Sequence, residues 1–317
     1  MLEANKSLVR PEHFILVGIP GLEDVQFWFS IPLCSMFLLT IFGNTVMLYV
    51  ILLEENLNKP MYFFISMLSI LDLVLCFNTT PNIILIFWFN AKGITFDGCL
   101  TQMFFIHAVT AMETTILVAM AFDRYVAICH PLRYNTILTN NRIAVIGVSA
   151  IIRGTFFTIP FIPLVNRLSF CKTMVISHTY CEHMALAKIA CSDITINKVY
   201  GLTAALLVVT VDIVCITLSY SAIIRAVMRL SSNKAKRKLF NTCGSHICVI
   251  IIFYTPALFS FFTHRFGHNI SPKIHITIAN LYILIPPMCN PIIYGVKTKE
   301  IRERIITSFF GKQIKSL

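Results

Sequence analysis

The sequence predicts an all-α membrane protein: a bundle of seven membrane-spanning helices followed by a short amphipathic helix. Three observations predict it. Of the 317 residues, 56% are hydrophobic and only 13% charged, with a mean hydropathy of +0.76, which is more apolar surface than a soluble domain of this size can cover. Seven separate segments carry about twenty or more apolar residues, the length that crosses the hydrocarbon core, and each must be helical because lipid cannot satisfy backbone polar groups. Basic residues collect at alternate ends of those segments.

Residues 1–26 form a tail on the first side. The tail has no basic stretch leading into an apolar one, so no cleaved signal peptide is expected and the first span is expected to target the chain. The transmembrane domain covers 27–296, with spans at about 27–53, 61–89, 99–122, 143–165, 199–224, 239–263 and 274–296. Interior charges are few: Asp72 in the second span, Glu113 in the third, Arg153 in the fourth and Asp212 in the fifth. Pro256 in the sixth span and Pro291 in the seventh remove backbone hydrogen bonds and predict kinks. Residues 297–317 form a tail whose first part reads as a surface helix. Ile301, Ile305, Phe309 and Phe310 share a side, while Lys299, Arg302 and Glu303 face water and anionic headgroups. No cysteine follows Cys289, which excludes palmitoylation of this helix.

An odd number of spans places the termini on opposite sides. Arg133, Arg142, Arg225, Arg229, Lys234, Lys236, Arg237, Lys238, Lys297, Lys299, Arg302 and Arg304 all fall on one side, which the positive-inside rule makes cytoplasmic, leaving the N-terminus outside. The net charge of +11 is therefore expected to face a membrane surface rather than nucleic acid. Asn5 then opens a glycosylation triplet in an extracellular tail. The longest connection, 166–198, carries Cys171, Cys181 and Cys191, and Cys99 opens the third span at the same end. Four cysteines on an oxidising side allow three pairings. No phosphate-cradling loop, zinc-protease motif or nucleophile elbow is present, so no enzyme is expected. The rival from another class is a transporter or ion channel, with Asp72, Glu113 and Asp212 lining a proton path. An odd, unrepeated layout matches inverted-repeat transporters poorly.

Asp123, Arg124 and Tyr125 close the third span inside the string MAFDRYVAICHPLRY, from Met120 to Tyr134. A charged cluster at the end of a membrane helix is costly unless it has a partner or a task there. This string resembles that of rhodopsin-like G-protein-coupled receptors, and within them the olfactory receptors. The likeness extends through Asn44, the string KPMYFF from Lys59, LSILD ending at Asp72, Ser219 with Tyr220, KRKLFNTCGSH ending at His246, and PMCNPIIY from Pro287 to Tyr294. The segments PEHF from Pro11, GIPGLE from Gly18 and THRFGH from Thr263 resemble the class I, fish-like group.

The resemblance implies specific roles. Arg124 engages a G protein once span six swings out, and Asp123 holds it at rest. Tyr125, Tyr220, His246, Asn290, Pro291 and Tyr294 belong to the same switch. Cys99–Cys181 ties the loop to span three, and with that pairing Cys171–Cys191 closes the loop on itself. Class I receptors are associated with carboxylic acids. Taken alone, Arg265 reads as a rim cation paired with a loop acid such as Glu182 or Asp193, and His107 as a core hydrogen-bonding residue. With the resemblance, Arg265 becomes a carboxylate anchor, since guanidinium grips carboxylates bidentately. His107 becomes pocket lining about 12 Å below Cys99 at helical rise. Phe104, Phe105, Ile106, Leu206, Val209, Phe261 and Ile283 are the expected apolar walls. Tyr254 stands where related receptors often carry Trp. Asp72 and Glu113, with Asn44 and Asn290 nearby, fit a sodium ion or a shared proton, because two carboxylates at that depth repel unless a cation lies between them. A network that only packs the helices is the plainer alternative. Arg153 and Asp212 read as helix-packing residues. The whole is expected to be an odorant receptor in the plasma membrane, coupled to a stimulatory G protein. The close alternative is a receptor of the same fold for a metabolite or lipid.

Overall fold

A computed structural model describes residues 11–311 except 20, 22–25, 55–56, 172 and 267–270; the side chains of 26, 235, 238, 240–242, 263–266, 272 and 309–310 lie outside the described set. Its first element is a strand, β1 (His13–Leu16), followed by α1 (Gln26–Leu53) and α2 (Pro60–Phe89). Next come β2 (Gly93–Thr95), α3 (Phe96–Cys129), a 3-10 turn (Pro131–Arg133), α4 (Tyr134–Ile137), α5 (Asn140–Thr158) and α6 (Phe161–Asn166). The chain continues through β3 (Val175–Ile176), α7 (His183–Lys188), α8 (Thr195–Met228), α9 (Asn233–Phe266), α10 (Pro272–Lys297) and α11 (Lys299–Phe310). Among the described residues, α1, α2, α3, the α5–α6 pair, α8, α9 and α10 are the seven elements long and apolar enough to cross a membrane. The disulfide-bearing end is termed outer here and the basic end inner.

Local chemistry explains the ends. α2 begins at Pro60, whose missing N–H costs nothing in a first turn. It stops at Asn90, which takes a left-handed conformation (φ 52°) and donates its N–H back to Leu85. Thr95 caps α3 by accepting from Gly98 N, and Thr139 caps α5 through Arg142 N. α3, α8 and α9 each extend beyond the apolar lengths 99–122, 199–224 and 239–263, since hydropathy marks only the part of a helix that lies in hydrocarbon. The fourth span is broken after Thr158, where Pro160 and Pro163 withdraw two backbone donors.

α3 is the central helix, packing against α2, α5, α8 and α9. Close approach needs small residues. A Cβ at Gly154 would lie 2.6 Å from the Ala108 carbonyl oxygen, and one at Gly43 only 2.8 Å from Pro291. These two positions seat α5 on α3 and α1 on α10. Leu38, Phe42, Leu52, Val145, Ile152, Phe156 and Leu218 are exposed along the outer faces of the spans, as a lipid-facing surface requires. At the inner end α11 buries Ile301 completely, and Arg304 meets Glu54 at 3.1 Å beyond the end of α1.

The outer end carries a lid that hydropathy does not foreshadow. β1 runs antiparallel to β2 and parallel to β3, with strand order β2-β1-β3. Residues 13–16, part of the segment expected only as a tail, are thus the middle strand. Phe14 is fully buried, with its ring 5.6 Å from Phe96 and 5.3 Å from Phe170. Burying such side chains contributes on the order of 1.5–3 kcal/mol each. Both expected disulfides are present, Cys99–Cys181 and Cys171–Cys191. Cys181 N also donates to Gln102 Oε1 at 2.8 Å, so the long loop is held to α3 twice at one point.

Candidate functional site

Polar residues gather at three depths along the bundle axis. The outermost sits beneath the lid. His107, on α3, is half-buried, with its ring 5.1 Å from Phe161. Its Nε2 is buried and has no hydrogen-bond partner among the described residues. Ile106 and Ile283 belong to one apolar cluster with Leu75, Val109, Tyr180 and Ala279. Burial, and then the charge of nearby Glu182, holds the Tyr180 hydroxyl well above the ordinary phenol range, so it stays protonated. Phe104 and Phe261 are partly buried, each edge-on to its neighbour in sequence. Leu206 is corrected as a wall residue. It is 45% exposed and sits beside exposed Leu207, on the face of α8 opposite buried Gly201, Ala204 and Asp212. Helical periodicity therefore turns it away from the bundle. Arg265 falls in the last turn of α9, and its side chain is outside the described residues, as is Asn5.

The middle level holds two buried clusters. In one, Asp72 accepts two hydrogen bonds from Asn290 Nδ2, at 3.1 and 3.0 Å. Its carboxyl faces that of Glu113. Asn44 donates to the Pro287 and Thr40 carbonyls at 2.9 and 3.0 Å. Asn44 Oδ1, Glu113 Oε1 and Asn290 Oδ1 are buried acceptors without donors among the described residues. The second cluster was legible only as two separate charges. Arg153 and Asp212 meet at 2.8 Å. Arg153 also donates to Thr115 Oγ1 at 2.8 Å and to the Val208 carbonyl at 3.2 Å. One guanidinium thereby joins α3, α5 and α8. The Tyr254 hydroxyl on α9 faces Asp212 without a hydrogen bond of ordinary geometry. It sits two residues before Pro256.

At the inner end Asp123 is fully buried, and its carboxylate lies 3.8 Å from Arg124 Nε. Its other oxygen accepts from the Tyr134 hydroxyl at 2.6 Å. Tyr134 ends the recognised string, but nothing in its residue type assigned it this contact. Burial and then the Asp123 charge raise the Tyr134 phenol far above its ordinary range. Tyr220 on α8 meets His246 Nδ1 on α9 at 2.8 Å, with His246 fully buried. The Tyr294 hydroxyl reaches Met120 Sδ at 3.8 Å, beside α3. Tyr125 is half-buried against Ile223, Val227 and Cys243, with its hydroxyl 3.0 Å from His130 Nε2. A groove of about 620 Å³ between α1 and α11, lined by Leu38, Phe42, Tyr49 and Ser308 among others, lies on the lipid side and away from all three levels.

Comparison with known proteins gives a consistent picture. The family model described as olfactory receptor matches residues 33–312. The chain is 56% identical over 313 residues to olfactory receptor 52P1 of Homo sapiens, covering 99% of this chain and 98% of that relative. It is 53% identical over 314 residues to human olfactory receptor 52N4, again covering 99% and 98%. Among solved structures, squid rhodopsin superposes with a TM-score of 0.75 at 17% identity, over 92% of this chain and 82% of rhodopsin. That likeness concerns the fold.

Proposed function

The chain belongs to the olfactory receptor family, and from that premise we propose that it responds to small carboxylic acids and couples to a stimulatory G protein that raises cyclic AMP. It is a multi-pass odorant receptor of the plasma membrane and not an enzyme. One observation supports the acid reading most: His107 presents a buried Nε2, without a hydrogen-bond partner among the described residues, beside the Phe161 ring. A carboxylate satisfies such a group and gains a charge-assisted bond in a dry site. Arg265, at the outer end of α9, supplies the countercharge. The outside placement of the N-terminus is supported by the disulfides at that end, since disulfides persist on oxidising sides, and by the basic inner end.

Signalling follows as a population shift, in which an agonist binds the active arrangement better than the resting one. An acid held between Arg265 and His107 draws the outer end of α9 inward. Pro256 turns this into outward movement of the inner end, where His246 leaves Tyr220. Arg124 then parts from Asp123 and meets the G protein. In the same reading Asp72 and Glu113 hold a sodium ion or a shared proton. The support is that Asn44, Glu113 and Asn290 each leave a buried acceptor oxygen unsatisfied, which is the donor set a hard cation takes.

The test is a cyclic-AMP response, normalised to surface receptor, across aliphatic acids, alcohols and aldehydes of matched length. Acids are expected to be the most potent at each length. Alcohols or aldehydes matching them would overturn the acid reading, and a response unchanged in cells lacking the stimulatory α subunit would overturn the coupling.

A further inference from the structure

A chain of contacts runs from the second outer loop into the predicted pocket wall, and one link in it exists only for an uncharged ring. His183 opens α7 and is 2% exposed. Its ring centroid is 4.4 Å from Phe161, which is also 5.1 Å from His107 and 5.2 Å from Tyr200. His183 Nε2 lies 3.2 Å from Asn197 Nδ2 on α8. The orientation of Asn197 is settled by its other partners. Its Nδ2 donates to the Leu164 carbonyl at 3.0 Å, which can only accept. Its Oδ1 accepts from Arg167 Nη2 at 2.9 Å, which can only donate. The atom facing His183 is therefore an N–H donor, and His183 Nε2 must be the lone-pair nitrogen. Protonation would set two donors against each other.

We propose that His183 is an acid-sensitive latch that positions the pocket wall. Neutral, it hooks the second outer loop onto span five through Asn197 and presses Phe161 against His107. Protonated, it releases Asn197, and the loop and Phe161 lose their fixed seat. The contact is present above the histidine's titration and lost as pH falls through it, within the range where histidine changes charge. The ionisable groups on the surrounding elements are Glu182 and Lys188 on either side in α7, Arg167 just past α6, Asp193 before α8, Lys198 and Tyr200 within α8, and His107 on α3. Glu182 already has a partner, accepting from Ala185 N at 2.8 Å, and Arg167 is committed to Asn197 and to the Asp193 carbonyl. Both positions keep the latch between the carboxylate that caps α7 and the guanidinium just past α6. The loop-to-span latch stands on the geometry alone; its effect on signalling rests on the carboxylate reading above.

The two are separated by two readouts. The first needs no ligand: hydrogen exchange of the purified full-length receptor in nanodiscs, corrected for intrinsic rates, at about pH 7.5 and about pH 5.5, either side of the ordinary histidine range. Amides of 182–190 are expected to exchange roughly five- to tenfold faster in acid, the effect of losing one anchoring bond. His183→Gln, whose amide oxygen still accepts from Asn197, should stay protected at both pH values. Asn197→Asp, which offers an acceptor to the charged ring, keeps the contact in acid and should abolish the step. An acid step identical in wild type and His183→Gln, or a step that persists in Asn197→Asp, overturns the latch; if one variant does not fold, the other decides. The second readout is the cyclic-AMP response to butyrate between the same pH values. It should fall in acid for wild type and hold steady for His183→Gln. A wild type silent to butyrate at both values, with the exchange step intact, overturns the carboxylate reading and leaves the latch standing.

Discussion

Tyr134 shows how much one hydroxyl decides at the inner end. Asp123 is buried and its ion pair with Arg124 is long, 3.8 Å, so the 2.6 Å bond from Tyr134 is its closest side-chain contact. The phenol's raised titration range keeps that proton in place across physiological pH, which makes the restraint constant rather than pH-tuned. Tyr134→Phe removes a hydrogen bond to a charged group, worth about 1.5–3 kcal/mol. Basal cyclic AMP, normalised to surface receptor, is expected to rise severalfold, and an unchanged basal level would mean that Tyr134 does not restrain the switch. Arg265 offers the complementary test at the outer end. Arg265→Ala should weaken responses to acids about ten- to a hundredfold, the same order of lost charge-assisted contact, while surface staining is retained. Undiminished acid potency would refute the anchor. Arg265 was singled out by its sequence context and Tyr134 was not, because a tyrosine's worth lies in what its hydroxyl reaches.

Between elements, the most consequential join is the one that fixes the long outer loop to α3. Cys99–Cys181 and the bond from Cys181 N to Gln102 act at one place. The loop's Thr179 in turn reaches Asn280 on α10. Loss of a disulfide in such a setting typically costs about 2–5 kcal/mol. Cys99→Ser and Cys181→Ser are each expected to depress surface delivery strongly, and the double variant no further than either single, because two ends of one bond do not add. Clearly additive losses in surface staining would show that the two are not partners in the cell. The Arg153–Asp212 pair does for α5 and α8 what the disulfide does for the loop. Removing one member of a buried pair leaves a charge uncompensated, at about 3–5 kcal/mol. Each charge was visible in its own span, but spacing along the chain does not tell which helices face each other.

For the molecule as a whole, the middle cluster couples α1, α2, α3 and α10. Asn290 bonds Asp72 across α10 and α2, Asn44 reaches the Pro287 carbonyl across α1 and α10, and Glu113 completes the set from α3. A cation or proton shared there favours whichever arrangement brings these four helices together, so it biases the global equilibrium rather than any single contact. Glu113→Gln is expected to raise basal signalling and to flatten its dependence on sodium and pH, as measured in membranes with sodium exchanged for a large organic cation. Surface-expressed Glu113→Gln with wild-type basal activity and the wild-type sodium and pH response would reduce the cluster to packing.

The sequence by itself determined that the chain spans a membrane seven times, which end is basic, and which motifs mark an olfactory receptor. These properties are local: span length, charge placement and contiguous strings are carried by neighbouring residues. It located Asp72 and Glu113 by their depth in the spans, Asp123 and Arg124 by the string that holds them, and His107 by the family resemblance. Only the tertiary structure decided partners and facing. It turned Leu206 outward and closed Arg153 on Asp212. It gave Asp123 to Tyr134 and set Tyr125 against Ile223 and Val227 of α8. It drew residues 13–16 into a lid through β1 and brought His183 onto Asn197. Each of these depends on which helix faces which and at what rotation. Those rotations are set by the packing of residues such as Gly43, Gly154 and Pro291 against partners far away in the chain, and no periodicity along a single segment encodes them.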